Sequence, residues 1–274
     1  MVQGQLPPDG EALIGGVPLP GHRVRIADSR NNPIEPVAWV SDGLVEDAGL
    51  IWLALSEVQP DTGLVPVLVD DASDLDEFDT SWSLPQPPDP GFLTGENILA
   101  IRWEGRIGAD DEDDPYFAGL RAPFSRQFPG LSLGGDSQLS KAQASEVLAG
   151  LPPAWIALVP AERPADVMAV LHWVMFDDFL GYATPEGTEI PPPLWIAAVL
   201  RSWEDRFGAR LLKIGPGAEI RLLVERPPAS RDSAQLIAAE HFAFADECDD
   251  IGNSSVAEIT EAIVGAPTWQ FWWD

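Results

Sequence analysis

Four apolar residues, Ile196, Leu200, Trp203 and Phe207, recur at i, i+4, i+7 and i+11. That spacing places them on one stripe of an α-helix, and such a stripe must be buried against another element. Pro193 stands in the first turn and Gly208 at the C-terminal stop. Two apolar runs follow, 209–214 and 219–224, around Gly215-Pro216-Gly217. In the second run Ile220, Leu222 and Val224 point one way and Arg221 the other, the period of a strand. A helix with one apolar face feeding directly into strands predicts helices layered on a sheet.

The rest of the C-terminal half agrees. Residues 155–159 form an apolar run, and Pro164 opens a helix carrying Val167, Met168 and Leu171 on one face. Residues 182–192 read as a loop. Ser230 caps a helix reaching Phe244, and Ser255 with Glu258 has capping-box spacing for another that stops at Gly265. Residues 268–274 predict a strand with Trp269, Phe271 and Trp273 on one face and Trp272 on the other. The order is β-α-α-β-β-α-α-β, which predicts an α+β fold with a mixed β-sheet and packed helices.

The first half is punctuated rather than periodic. Residues 37–40, 64–69 and 98–103 read as strands, with Pro66 placing the second at an edge or strand end. Residues 44–58 and 140–148 read as helices. The acidic runs at 70–79 and 110–114 and the prolines at 85–90 read as loops. We expect an irregular, acidic N-terminal α/β region over 1–150 and a C-terminal α+β domain over 151–274.

Charge limits what such a protein can bind. The chain has 44 Asp and Glu against 16 Lys and Arg, a net charge of −28, and only Lys141 and Lys213 are lysines. A field of this sign repels nucleic-acid backbones and anionic membrane surfaces and favours basic partners. No apolar stretch is long enough to span a bilayer. The single cysteine, Cys248, cannot form an internal disulfide, and no leader pattern is visible, so a cytoplasmic protein is expected.

The candidate catalytic groups are Glu240, His241, Glu204 and Asp205. Histidine titrates near neutrality and a nearby carboxylate tunes it. Adjacent helix residues diverge by about 100°, so Glu240 and His241 do not bond each other. Glu204 and Asp205 each lie within reach of Arg201 along the helix, and Arg206 can grip an anionic or planar group. Trp203 falls on the apolar stripe. Trp269, Trp272 and Trp273, from a chain with eleven tryptophans, are candidate binding aromatics. Asp246, Glu247, Asp249, Asp250, Cys248 and His241 offer ligand types without any metal-binding spacing, as do Asp74, Asp76 and Asp79. His22 and His172 lack ligand-spaced partners, and neither Gly15-Gly16 nor Gly134-Gly135 is set in a phosphate loop. No metal or cofactor is expected.

Several runs resemble one family. They are Arg201-Ser202-Trp203-Glu204-Asp205-Arg206-Phe207-Gly208-Ala209-Arg210, Ala239-Glu240-His241-Phe242-Ala243-Phe244, Phe271-Trp272-Trp273-Asp274, and Leu158-Val159-Pro160 with Arg163-Pro164-Ala165-Asp166. Together they are similar to the bacterial domain of unknown function numbered 4253, common in actinobacteria, most strongly over 155–274. The resemblance implies no activity. Similar proteins often carry cysteine where this chain has Ala245, so no thiol role is carried over. Two readings follow from the residues. One is an acidic, intracellular, non-enzymatic protein that engages a basic protein, as immunity proteins engage toxins. The other is a hydrolase using His241 with nearby carboxylates.

Overall fold

The computed structural model describes residues 4–24, 36–71, 93–106, 115–171, 173, 182–183, 189–190, 192–215, 219–245, 247–248 and 255–273. In chain order the elements are β1 (Gly10–Ile14), β2 (Val17–Val24), β3 (Ala38–Ser41), α1 (Ala48–Thr62), β4 (Leu64–Val69), α2 (Gly95–Gly105), α3 (Pro115–Arg121), α4 (Lys141–Ala149) and β5 (Trp155–Pro160). A 3-10 turn (Pro164–Asp166) leads into α5 (Val167–Leu171), then β6 (Tyr182–Ala183), β7 (Glu189–Ile190), α6 (Pro192–Phe207) and β8 (Ala209–Gly215). The chain closes with β9 (Glu219–Val224), α7 (Arg231–Phe244), β10 (Glu247–Cys248), α8 (Val256–Ile263) and β11 (Thr268–Trp272). The fold is α+β with a mixed sheet, and the predicted C-terminal order appears with three two-residue strands added.

Two compact units interleave along the chain. Unit 1 comprises Met1–Pro88, Lys141–Ala197 and Leu211–Pro216; unit 2 comprises Asp89–Ser140, Ala198–Arg210 and Gly217–Asp274. In unit 1 the strands run β1-β2-β3-β5-β4-β8. Neighbours are antiparallel except β4 and β8, which are parallel through Leu68–Lys213 and Val69–Ile214. All six residues of β4 are buried. Pro66 therefore does not mark an edge strand. It is tolerated because the β8 ladder reaches only Leu68 and Val69, and its carbonyl accepts the Trp52 indole N–H at 2.8 Å. Residues 182–192, expected to be a loop, carry the short antiparallel pair β6–β7.

In unit 2 the strands run β9-β11-β10, all antiparallel. Trp269 and Phe271 point to the buried side together with Ile220 and Leu222. Residues 98–103 are not a strand but the middle of helix α2. Thr94 caps it, accepting from the Asn97 N–H at 3.2 Å, and Ile98, Leu99, Arg102 and Trp103 form its buried stripe. The short window hid this because Arg102 reads as polar, yet it is buried and satisfies a helix end elsewhere.

That helix end is the C-terminus of α7. The carbonyls of Ala243, Phe244 and Ala245 accept, respectively, Arg102 Nε at 2.7 Å, Trp273 Nε1 at 3.1 Å and Arg106 Nη1. Carbonyls without intrahelical partners need such donors, and the helix dipole favours cations there. Arg121 does the same for α2, donating to Trp103 O at 2.6 Å. The expected caps Ser230 and Ser255 are both present as capping boxes, the first with Ser233 as its partner. Among the described residues no helix is long and apolar enough to cross a membrane. Replacing Arg102 by Met keeps the apolar stem and leaves the Ala243 carbonyl without its charged donor. Urea unfolding should show a loss of about 1–3 kcal/mol.

Candidate functional site

Glu240 is the one buried carboxylate among the described residues. It lies on α7, and four donors converge on it. Arg206 of α6 makes a two-pronged bond, Nη1 to Oε1 at 2.7 Å and Nη2 to Oε2 at 2.6 Å. The Trp203 indole N–H donates to Oε2 at 2.8 Å, and the Ser132 backbone N–H donates to Oε1 at 2.8 Å. Four lone-pair positions are thereby used, so the carboxylate has no acceptor site left for a substrate or an incoming proton.

Arg206 is equally committed. Nη1 also donates to Ser132 O at 2.9 Å, Nη2 to Ser202 Oγ at 3.0 Å, and Nε faces Ser202 O and Oγ at 3.2 Å each. The anion that Arg206 grips is thus Glu240 of the same unit. Glu204 and Asp205, the other candidate carboxylates, sit on the outward part of α6, half-buried and exposed, as does exposed Arg201. The backbone carbonyl of Asp205 accepts Arg226 Nη2 at 3.0 Å.

His241 points away from Glu240, as the helical geometry requires. Its ring meets Trp269 edge-on at 4.5 Å, Phe271 at 4.8 Å and Trp203 at 5.1 Å between centroids. Trp203 also stacks on Phe271 at 5.1 Å and 21°. Burial first, and the Arg206 charge second, lower the His241 pKa from 6.5 to about 3. The imidazole is neutral at pH 7 and has no solvent face. A general base must reach the proton it removes, and His241 is fully buried against Trp203, Trp269 and Phe271.

The candidate tryptophans divide. Trp203, Trp269 and Trp273 are fully buried, and Trp272 is 45% exposed on the opposite face of β11. Side-chain placements at Cys248, Glu247, Asp246, Asp249, Asp250, His172, Asp74, Asp76 and Asp79 lie outside the described residues. His22 bonds Asp42 at 2.8 Å on the surface. Among the described residues no group of His, Cys, Asp and Glu is arranged to hold a metal.

Sequence reasoning missed residues 132–139, which anchor the cluster. Ser132 supplies the bonds to Glu240 and Arg206, Ser137 Oγ donates to Pro227 O at 2.7 Å, and Leu139 N donates to Glu225 O at 2.7 Å. Asp136 accepts from Ala229 N and Ser233 Oγ; the Ala229 bond chiefly holds its pKa below the usual value, against an opposing effect of desolvation and with a smaller contribution from Ser233. Gly135 packs so tightly that an added Cβ would lie 1.6 Å from the Arg226 carbonyl oxygen. Its role is close backbone approach rather than phosphate binding.

Residues 155–274 match the model of a domain of unknown function, DUF4253. The DUF4253 segment contains Trp203, Arg206, Glu240, His241, Trp269 and Trp273, whereas Ser132, Arg102 and Arg106 precede it. No curated protein and no solved structure matches the chain.

Substituting Glu240 by Gln leaves the Arg206 guanidinium without its counter-charge inside unit 2. The expected cost is about 3–5 kcal/mol in chemical unfolding, and the double variant Arg206→Met/Glu240→Leu should lose less than the sum of the singles. The histidine gives a pH signature. Unfolded, it takes up a proton as pH falls through about 6.5; folded, it does so only near 3. The unfolded state therefore binds more protons between these values. The His241 contribution is fully present above 6.5 and is lost as pH falls, by about 1.4 kcal/mol per unit. His241→Phe should remove that part of the slope when unfolding is measured from pH 7 down to 4.

Proposed function

We propose that this protein is an acidic, non-enzymatic binding protein that engages a basic protein partner inside the cell, in the manner of an immunity protein. The observation that carries this reading is how the charges are turned. Six of the twelve described arginines direct their guanidinium groups at backbone carbonyls or at Glu240. Arg102 and Arg121 are buried, and Arg23, Arg106, Arg206 and Arg226 are half-buried. Most described carboxylates are exposed. Among the described residues exposed carboxylates therefore outnumber exposed cations, within a chain whose net charge is −28. Such a surface raises the encounter rate with cationic proteins and repels nucleic acid.

The sealing of His241 and the saturation of Glu240 favour binding over the hydrolase reading, since neither group meets solvent. The test is direct binding of the full chain to a panel of small folded proteins of high isoelectric point and to acidic proteins of matched size. We expect the basic set alone to bind, with affinity falling at least about tenfold between about 0.05 and about 0.5 M salt. Absence of binding to every basic protein at low salt would remove the basis for this reading.

A further inference from the structure

The outer edge of β1, which pairs with no strand among the described residues, has the build of a strand-acceptor site. The β1–β2 hairpin turns through Gly15 and Gly16, both at positive φ (57° and 89°), which is the two-residue turn that suits twisted strands. In such a hairpin the closing pair Ile14–Val17 exchanges both hydrogen bonds, and every second pair does the same. Leu13–Pro18 and Glu11–Pro20 are then the non-bonded pairs. The sequence agrees independently: Pro18 and Pro20, which have no N–H, occupy those positions on β2. The backbone groups of Glu11 and Leu13 must therefore point away from β2. Among the described residues β1 is the end strand of its sheet.

A groove runs along the same edge. It has a volume of about 520 Å³, and its lining includes Pro7, Pro8, Leu13, Ile14 and Leu64, with Glu11 its one ionisable residue. Its proline wall is fixed in place. Arg23 donates to Pro7 O at 2.7 Å and to Leu6 O at 3.0 Å, and the Trp39 indole donates to Pro8 O at 3.2 Å. Those bonds also occupy the Arg23 guanidinium. Leu13 is 74% exposed, an apolar residue of an open edge strand left in solvent.

We propose that β1 accepts an extended segment of a basic protein as an added antiparallel strand, with apolar side chains in the groove and a Lys or Arg opposite Glu11. Charge selects the occupant. A second copy of this chain fits the same backbone edge but brings another −28 to it, whereas a cationic segment meets Glu11 and the acidic field. The inference rests on the basic-partner reading and gives that partner a docking place.

The probe is a short labelled peptide of alternating lysine and valine, titrated by fluorescence anisotropy against the full chain. Two companions are the same peptide N-methylated throughout, which keeps its charge but cannot pair, and its glutamate-for-lysine counterpart. The lysine peptide should bind, and N-methylation should weaken it by about tenfold or more. Leu13→Pro, which removes an outward N–H while leaving the β1–β2 bonds, should do the same with the thermal midpoint little changed. If the N-methylated peptide binds as tightly, strand addition is wrong while the basic-partner reading stands. Equal binding of the glutamate peptide overturns the cationic occupant. A dimer in sedimentation that Leu13→Pro abolishes assigns the edge to a second copy and overturns it too. Failure of the basic-partner reading itself shows separately, as no binding across the panel of basic proteins.

Discussion

Unit 2 is arranged around a buried carboxylate. A carboxylate removed from water is costly unless its lone pairs are met by donors and its charge by a counter-ion. Glu240 has both, from Arg206, Trp203 and Ser132. Meeting that demand fixes the end of α6 against α7 and orients the Trp203 indole. It also ties residues 132–139 to the same point. The aromatic cluster of Trp203, Trp269, Phe271 and His241 then packs beside a rigid polar centre, and the nearby Arg206 charge adds to the burial that keeps His241 neutral.

The same economy governs the other arginines. Arg102, Arg106 and Arg121 act on helix-end carbonyls, two of them from above aromatic rings: Arg106 at 4.4 Å over Phe242 and Arg121 at 5.4 Å over Trp103. A chain with few cations places several of them at backbone groups within the fold. Among the described residues exposed carboxylates then outnumber the exposed cations, such as Arg201, Arg231 and Lys141.

What the sequence made legible was local. The stripe of α6, the capping residues Ser230 and Ser255, and the inward face of Trp269, Phe271 and Trp273 each follow from spacing within a few residues, and the structure has them. The strand expected at 98–103 failed because a six-residue window cannot separate an apolar helix face from a strand, and because Arg102 serves a carbonyl 141 residues away. Glu240 and His241 stood out by residue type, but their environment depends on contacts 34 and 108 residues distant, at Arg206 and Ser132. No local pattern encodes those. Gly134-Gly135 was visible as a pair; that Gly135 must fit beneath the Arg226 carbonyl became visible only with both segments in place.

Whether water reaches the Glu240 cluster decides between a structural core and an accessible site. Hydrogen exchange of the Trp203 indole N–H, followed by NMR under native conditions, measures this directly, because that proton is held on Glu240 at 2.8 Å in the sealed interior. Exchange should proceed only through global unfolding, at the free energy of the slowest backbone amides. Exchange within minutes in the folded protein, far ahead of those amides, would mean that Glu240 and His241 open to solvent and would contradict their assignment as a structural core.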